Sequence, residues 1–368
     1  MGASVVRIGL PDGRGYDIRI GSGVTAQLGE RIAERTAARH AALVCDSNVA
    51  PLHASRVREV LEAAGFRVDT IEFPAGEQSK SLEQLGQIHA RLSELRFTRE
   101  SVVVALGGGV AGDLAGFAAS TYMRGVPFVQ VPTTLLSMVD SSVGGKNGVN
   151  VAGVKNLVGN FAQPIYVSAD IDMLATLPQL EWKCGFGEMA KSAVIDSGDF
   201  AAWLFDAAPR LVAGQPDAVR EAVARTVEFK ARVVVADEHE GSVRKCLNYG
   251  HTLGHAIEAV SQNPKVLHGI AVAEGMRFAV RLAGETIGVA PGFADAQDKL
   301  LDALGIEPLR RKFDVSQLVD KMLHDKKGNG RTVSFVLAKA PGKWEMAEME
   351  PQVVKDLLHA WMDAKELQ

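Results

Sequence analysis

The chain has 368 residues, of which 47% are hydrophobic, 23% charged and 6% aromatic, the profile of a globular protein with about two domains. Its formal net charge of −4 excludes a general affinity for nucleic acid or anionic membrane, so an anionic ligand must be met by local Lys and Arg. Three distant cysteines, Cys45, Cys184 and Cys246, fit a reducing compartment without disulfides, and Met1–Arg7 lacks the apolar run of a signal peptide, which points to the cytoplasm.

In chain order, the first half alternates short β-rich runs with helical patterns, as expected for βα units on a mostly parallel sheet. Ala41–Cys45 reads as a buried strand ending at Asp46, followed by a helix over 51–64 that Gly65 stops. Phe66–Phe73 alternates like a strand, and 81–95 reads as an amphipathic helix capped by Ser79 or Ser81. Ser101–Leu106 is a buried strand running into Gly107-Gly108-Gly109, with a helix expected to begin near Asp113. The run 101–120 is long enough to span a bilayer, but it holds five glycines and Asp113. A charge at mid-bilayer costs roughly 2.5–3.5 kcal/mol, so strand, loop and helix is the better reading. Pro127–Val131 is a further strand ending at Pro132-Thr133-Thr134, and 137–159, rich in Gly, Asn, Ser and Val, reads as a structured functional loop. Near Leu177-Pro178 the character changes, and helical patterns cover 199–235, 251–261, 269–287 and 293–304. A β-rich piece, 331–337, follows a turn at Gly328-Asn329-Gly330. The expected architecture is an α/β, Rossmann-like nucleotide-binding domain over 1–178 and a mainly α-helical metal-binding domain over 179–368.

The glycine triplet at a strand-to-helix junction offers bare backbone N–H groups that can cradle a pyrophosphate, although it is not the G-x-G-x-x-G fingerprint. Asp46 and Asn48 follow one strand end and Thr133 and Thr134 another, where ligands of open α/β sheets lie. Lys146 and Lys155 sit in glycine-rich stretches and suggest anion binding, with Arg124, Arg244 and Asp325-Lys326-Lys327 as further basic candidates. His251 and His255 are four apart at the start of a helix, so both rings address one volume. His268-Gly269 follows, and Gly187-Glu188-Met189-Ala190-Lys191 places a carboxylate and an amine three apart on another helix. One Glu and two His would hold a divalent metal with a position open for substrate, and spacing alone does not decide which two histidines ligate.

Together these blocks resemble the 3-dehydroquinate synthases, within the sugar-phosphate cyclase superfamily. The matching stretches, in order, are Gly107–Phe117, Val131–Leu136, Asp140–Lys146, Lys155–Gly159, Gly187–Lys191, Leu247–Glu258 and Asp325–Lys327, and the match runs over nearly the whole chain. The resemblance implies a carbon–oxygen lyase acting on phosphates. It would convert 3-deoxy-arabino-heptulosonate 7-phosphate to 3-dehydroquinate and phosphate by oxidation, phosphate elimination, reduction and aldol closure. It implies recycled NAD and a divalent metal, zinc before cobalt, with ligands Glu188, His251 and His268. It implies that Lys146, Lys191, Arg244, Asn248 and His255 are catalytic. The small phosphorylated sugar-acid would be bound by Arg124, Lys146, Asn156, Lys230, Arg244, Asn248, Lys326 and Lys327, with Arg124 acting across the interface of a homodimer. For NAD it implies Asp46, Asn48, Glu77, Lys80, Gly109, Val110, Gly112, Asp113, Thr133, Thr134, Asp140, Lys146, Lys155 and Thr176. Two positions depart from the usual family pattern, Asn147 in place of Thr and Ile270 in place of Glu. A sister cyclase, of the 2-deoxy-scyllo-inosose or valiolone synthase type, and a metal-dependent polyol dehydrogenase that releases NADH are the competing readings. A non-enzymatic binding module would need neither Lys191 nor three histidines.

Overall fold

The computed structural model describes residues 2–261, 264–324 and 331–365. The chain packs as two compact units, Met1–Trp182 with Val219–His239, and Lys183–Ala218 with Glu240–Gln368. Against the division expected at 178, the first segment runs to Trp182 and 219–239 packs with the first unit. There Arg220 Nη1 donates to Ser4 Oγ at 2.8 Å and Lys230 Nζ to Asp140 Oδ1 at 2.7 Å. A shift in composition carries no sign of such a return.

In chain order the first unit contains β1 (Ser4–Gly9), β2 (Gly15–Gly21), α1 (Leu28–Ala33), β3 (His40–Asp46), α2 (Ser55–Ala63), β4 (Arg67–Phe73), α3 (Leu82–Glu94), β5 (Ser101–Gly107), α4 (Gly109–Thr121), β6 (Phe128–Pro132), β7 (Lys146–Val151), β8 (Val154–Phe161) and β9 (Tyr166–Asp170). Seven of these strands form one sheet in the order β1-β2-β9-β6-β5-β3-β4, parallel except for the β1–β2 hairpin. β5, β6 and β9 are buried at every residue, as parallel strands covered on both faces must be. Leu28, Ile32, Val57 and Leu61 of α1 and α2 cover one face, and Ile88, Leu92, Leu114 and Phe117 of α3 and α4 belong to the core on the other. α3 forms where the sequence expects it, because Leu85, Ile88 and Leu92 fall on one stripe and the Ser81 side chain accepts from Gln84 N.

The chain leaves β3 toward β4 on one side, whereas β5 lies on the other, so the crevice beyond the carboxyl ends of β3 and β5 is the switch point where such sheets bind ligands. Two readings are corrected. α4 begins at Gly109, four residues before Asp113. The stretch 137–159 is no loop but a tight turn over Ser137–Ser141 followed by the antiparallel β7–β8 hairpin. The β1–β2 hairpin was not expected.

The second helical group consists of α5 (Gln179–Asp196), α6 (Gly198–Val212), α7 (Pro216–Ala236), α8 (His251–Val260), α9 (His268–Thr286), α10 (Phe293–Ala303) and α11 (Val315–Leu323), then β10 (Val333–Ala340), β11 (Lys343–Met349) and α12 (Pro351–Ala364). The pattern over 199–235 is two helices, α6 and α7, parted at Gly214, whose φ of +66° is left-handed. In the second unit α9 is the central element, buried at nearly every residue from Ala271 to Ala283, with α8, α10, α12 and β10 packed on it. The turn at 328–330 lies outside the described residues. Among the described residues, no helix is long and apolar enough to cross a membrane.

Candidate metal centre and nucleotide site

Close helix approach builds the centre of the second unit, and glycine permits it. A Cβ at Gly187 of α5 would lie 2.3 Å from the carbonyl oxygen of Gly269 in α9. One at Gly275 of α9 would lie 1.9 Å from the carbonyl oxygen of Gly250, which precedes α8, and one at Gly254 of α8 would lie 3.1 Å from that of Ala271. Bare backbone at these crossings brings α5, α8 and α9 together, so the neighbours of these glycines, Glu188, His251 and His268, face one another.

Glu188 is 1% exposed, both its carboxylate oxygens are sealed from solvent, and neither accepts a hydrogen bond of good geometry. Oε1 faces Nε2 of His268 at 3.4 Å and Nε2 of His251 at 3.6 Å, while Oε2 is ion-paired with Lys191. Two ligand atoms about 2.0–2.1 Å from a tetrahedral zinc lie about 3.4 Å apart, so these spacings fit a shared cation. The buried carboxylate supports the same fit: Lys191 pairs with Oε2, and Oε1 is left with only the two imidazoles before it, where a cation would offset the cost of its burial. His251 Nδ1 sits 3.1 Å from the carbonyl of Tyr249, which leaves Nε2 as the ligand atom.

The electrostatics follow from this packing. Burial alone would raise the Glu188 pKa, but Lys191, His251 and His268 outweigh it and hold the carboxyl well below the usual carboxylate range. Burial and the Lys191 ammonium push His251 well below the ordinary imidazole value, so the ring is neutral and ready to ligate. Burial opposes protonation of His268 too, yet Glu188 and Glu258 together raise its pKa to about 10.

His255 is exposed, with its ring centroid 5.1 Å from that of His251 and 5.9 Å from that of His268. Arg244 is buried, and Asn248 Nδ2 donates to Glu240 Oε1 at 2.9 Å. Glu240 itself has a left-handed φ of 60°. Lys326 and Lys327 lie outside the described residues.

In the first unit, the nucleotide candidates gather at strand ends. Asp46 Oδ1 accepts from the backbone N–H of Asn48 and Val49 at 2.9 and 3.0 Å, fixing a turn beside Gly107. No side chain caps α4, so its first turn presents backbone N–H groups at an end that favours anions. Cβ atoms at Gly108 and Gly109 would press on Thr134 and Ser141, and one at Gly112 would lie 2.8 Å from Gln130 Oε1. Val110 is half-buried on the same turn, and the Thr133 N–H donates to the Gly107 carbonyl at 2.9 Å. The Thr134 hydroxyl bonds Ser137 Oγ at 2.9 Å.

Lys80 and Asp113 are ion-paired with each other, and burial pushes the Asp113 carboxyl up despite that lysine. Glu77 Oε1 accepts from Asn150 Nδ2 at 2.8 Å, joining the 77–81 turn to the hairpin. Lys230 Nζ donates to both the carbonyl and carboxylate of Asp140. Thr176 is exposed and lies 2.9 Å from His53 Nε2. Lys146, Lys155 and Asn156 are exposed on the β7–β8 hairpin, Asn156 with a left-handed φ of 50°. Arg124 is exposed just past the C-terminal end of α4, about 20 Å along the helix axis from the glycine turn.

Asn147, a departure from the family pattern, is a packing residue. Its Nδ2 donates to the carbonyls of Gly145 and Ala162, both at 3.0 Å, and its Oδ1 fills the space over Gly116. Sequence reasoning missed Glu258, whose Oε2 lies 3.0 Å from His268 Nδ1. Its spacing of three from His255 and seven from His251 places it on their helix face and would have revealed it.

The chain is similar to known proteins over nearly its whole length. The family described as 3-dehydroquinate synthase N-terminal matches residues 70–184, and 3-dehydroquinate synthase C-terminal matches 185–328. A 3-dehydroquinate synthase from Desulforamulus reducens is 44% identical over 336 residues, 90% of this chain and 92% of that protein. The solved structure of 2-deoxy-scyllo-inosose synthase complexed with carbaglucose-6-phosphate, NAD+ and Co2+ is similar at a TM-score of 0.90 and 26% identity, covering 97% of this chain and all (100%) of that one. A 2-epi-5-epi-valiolone synthase from Streptomyces hygroscopicus subsp. jinggangensis 5008, with NAD+ and Zn2+ bound, shares the fold at a TM-score of 0.85 and 23% identity, covering 95% and 97%. On the two domain matches and on this degree of identity, the chain belongs to the 3-dehydroquinate synthase family.

Proposed function

We propose that the protein is a 3-dehydroquinate synthase, which converts 3-deoxy-arabino-heptulosonate 7-phosphate to 3-dehydroquinate and phosphate in aromatic amino-acid biosynthesis. The observation that carries the reading is the convergence of Glu188, His251 and His268, with Lys191 and His255 beside them, in a chain 44% identical to a 3-dehydroquinate synthase. Glu188 Oε1 and the Nε2 atoms of His251 and His268 would hold a divalent ion, zinc in the first instance and cobalt as a substitute. The turn at Gly107–Gly109, with Asp46, Thr133, Thr134 and the residues around Lys80 and Asp113, would hold NAD. When bound, NAD takes up and returns a hydride and the metal polarises the oxygens at the reacting carbons.

The chain's own groups do the remainder. Lys191 holds Glu188 ionised, and its ammonium also stabilises negative charge that develops on substrate oxygen. Exposed His255 carries protons to and from the substrate. Lys146, Asn156, Lys230, Arg244 and Asn248, with Lys326 and Lys327, bind carboxylate and phosphate, and the departing phosphate removes the proton at the neighbouring carbon. Arg124, exposed past the C-terminal end of α4, supplies a charge to a second copy in a homodimer. The expected setting is the cytoplasm, without nucleic-acid or membrane partners.

Removing the ammonium and the proton-carrying imidazole tests the roles. Lys191→Ala and His255→Ala should each lower kcat by about 10²–10⁴ while the protein stays folded, the range general acid–base groups contribute. Near-normal turnover in both would overturn the assignment.

A further inference from the structure

Glu258 is a buried carboxylate to which the reading above gives no role. It lies on α8, and its Oε2 is 3.0 Å from Nδ1 of His268 on α9, while Nε2 of the same ring faces Glu188. A neutral imidazole has one N–H and one lone pair. A carboxylate at Nδ1 accepts, so when the ring gives up its other proton to a cation, the N–H stays at Nδ1 and the lone pair at Nε2 points at the cation position. The two histidines are thus held in one tautomer by different acceptors, a backbone carbonyl for His251 and a charged side chain for His268. Glu258 is itself anchored. Ser261 Oγ donates to the Glu258 carbonyl at 3.3 Å and accepts from Val266 N–H at 3.1 Å, tying the end of α8 to the approach to α9.

We propose that Glu258 is a positioning residue of the metal centre: it orients His268, fixes its ligating nitrogen and strengthens that nitrogen as a donor. The proposal rests on the reading of Glu188, His251 and His268 as metal ligands. A carboxylate behind a ligating histidine typically changes metal affinity by about 10–100-fold.

The test is titration of the metal-free protein with Co2+ against a chromophoric chelator, with the visible d–d absorption of the bound ion as a second readout. Glu258→Gln keeps the volume and an acceptor for Nδ1–H but removes the charge, and should weaken Co2+ by about tenfold. Glu258→Leu removes the acceptor, and should weaken it by about a hundredfold. Both should bind one ion per chain with a shifted d–d band, and circular dichroism of the metal-free proteins checks the fold. If the leucine variant does not fold, the glutamine variant decides alone. Unchanged affinity, corrected for the proton that His268 releases on binding, together with unchanged absorption in a folded variant would overturn the proposal. So would two Co2+ per wild-type chain falling to one in the variant, because His255, Glu258 and His268 also have ligand spacing and Glu258 would then be a ligand itself. Glu188→Ala separates the proposal from its premise: if it binds Co2+ as the wild type does, the metal centre itself is misassigned.

Discussion

Gly275→Ala tests how the metal centre is built. A methyl at this position of α9 would lie 1.9 Å from the carbonyl oxygen of Gly250 and 2.8 Å from its carbonyl carbon. To reach even 3.0 Å, methyl and oxygen must part by about 1 Å, and backbone cannot turn aside as a side chain would. Gly250 is held at a φ of +76° as the residue before α8, so the displacement passes to His251. Metal sites tolerate errors of about 0.2 Å in ligand distance, and a misplacement of about 1 Å costs about a hundredfold in an active site. A loss of metal affinity of the same order is expected. Overpacking costs about 1–3 kcal/mol, which the helix propensity of alanine offsets by about 1 kcal/mol, so with backbone as the obstacle the metal-free protein should lose about 2 kcal/mol and still fold. Two other glycines calibrate the result. Gly254→Ala, with its nearest atom at 3.1 Å, should fall between variant and wild type. Gly86→Ala, on α3 with nothing within 4 Å, should gain about 1 kcal/mol and leave the metal untouched. The assays are Zn2+ competition with a chelator and urea unfolding of the metal-free protein. Wild-type zinc affinity in a folded Gly275→Ala protein would refute the reasoning.

Two further perturbations follow from the same geometry. His268 must shed a proton held to about pH 10 in the metal-free protein, whereas His251 and Glu188 are already deprotonated near neutrality. Metal affinity should therefore rise about tenfold per pH unit between about pH 6 and 8, with one proton released per ion, and a flat or two-proton slope in a pH series of metal titrations would count against the assigned states. Glu274 is buried in α9, where Oε1 accepts from Trp361 Nε1 at 3.1 Å and pairs with Lys365, and Oε2 accepts from Leu309 N at 3.0 Å. Glu274→Ala removes the acceptor of Trp361 Nε1 and Leu309 N and leaves Lys365 with only the Leu309 carbonyl at 2.7 Å, which should cost about 3–5 kcal/mol in urea unfolding, while a loss below about 1 kcal/mol would mean that α12 is held by other contacts.

The sequence was most legible where chemistry and local pattern coincide. Buried strands such as Ser101–Gly107 and the stripe of Leu85, Ile88 and Leu92 announce themselves, and the four-residue spacing of His251 and His255 places both rings on one face. The β7–β8 hairpin hid because its glycines and asparagines mimic a loop, and because β8 is exposed along nearly its whole length and shows no alternation of burial. The N-terminal hairpin does alternate, with Val6, Ile8, Tyr16, Ile18 and Ile20 buried, so that signal was present and unread. Membership of 219–239 in the first unit depends on contacts such as Lys230 with Asp140, which no local pattern encodes. The roles of Gly187, Gly250 and Gly275 are likewise properties of helix crossings. A sequence shows the missing side chains and leaves open what comes close to them.

The most direct measurement mixes the purified protein with 3-deoxy-arabino-heptulosonate 7-phosphate, catalytic NAD and zinc, and follows inorganic phosphate, product mass and absorbance of NADH together. The account predicts one phosphate released per 3-dehydroquinate formed, with no accumulation of NADH. Inertness toward this substrate with turnover of a sedoheptulose or glucose phosphate, or a build-up of NADH on a simple polyol, would contradict it.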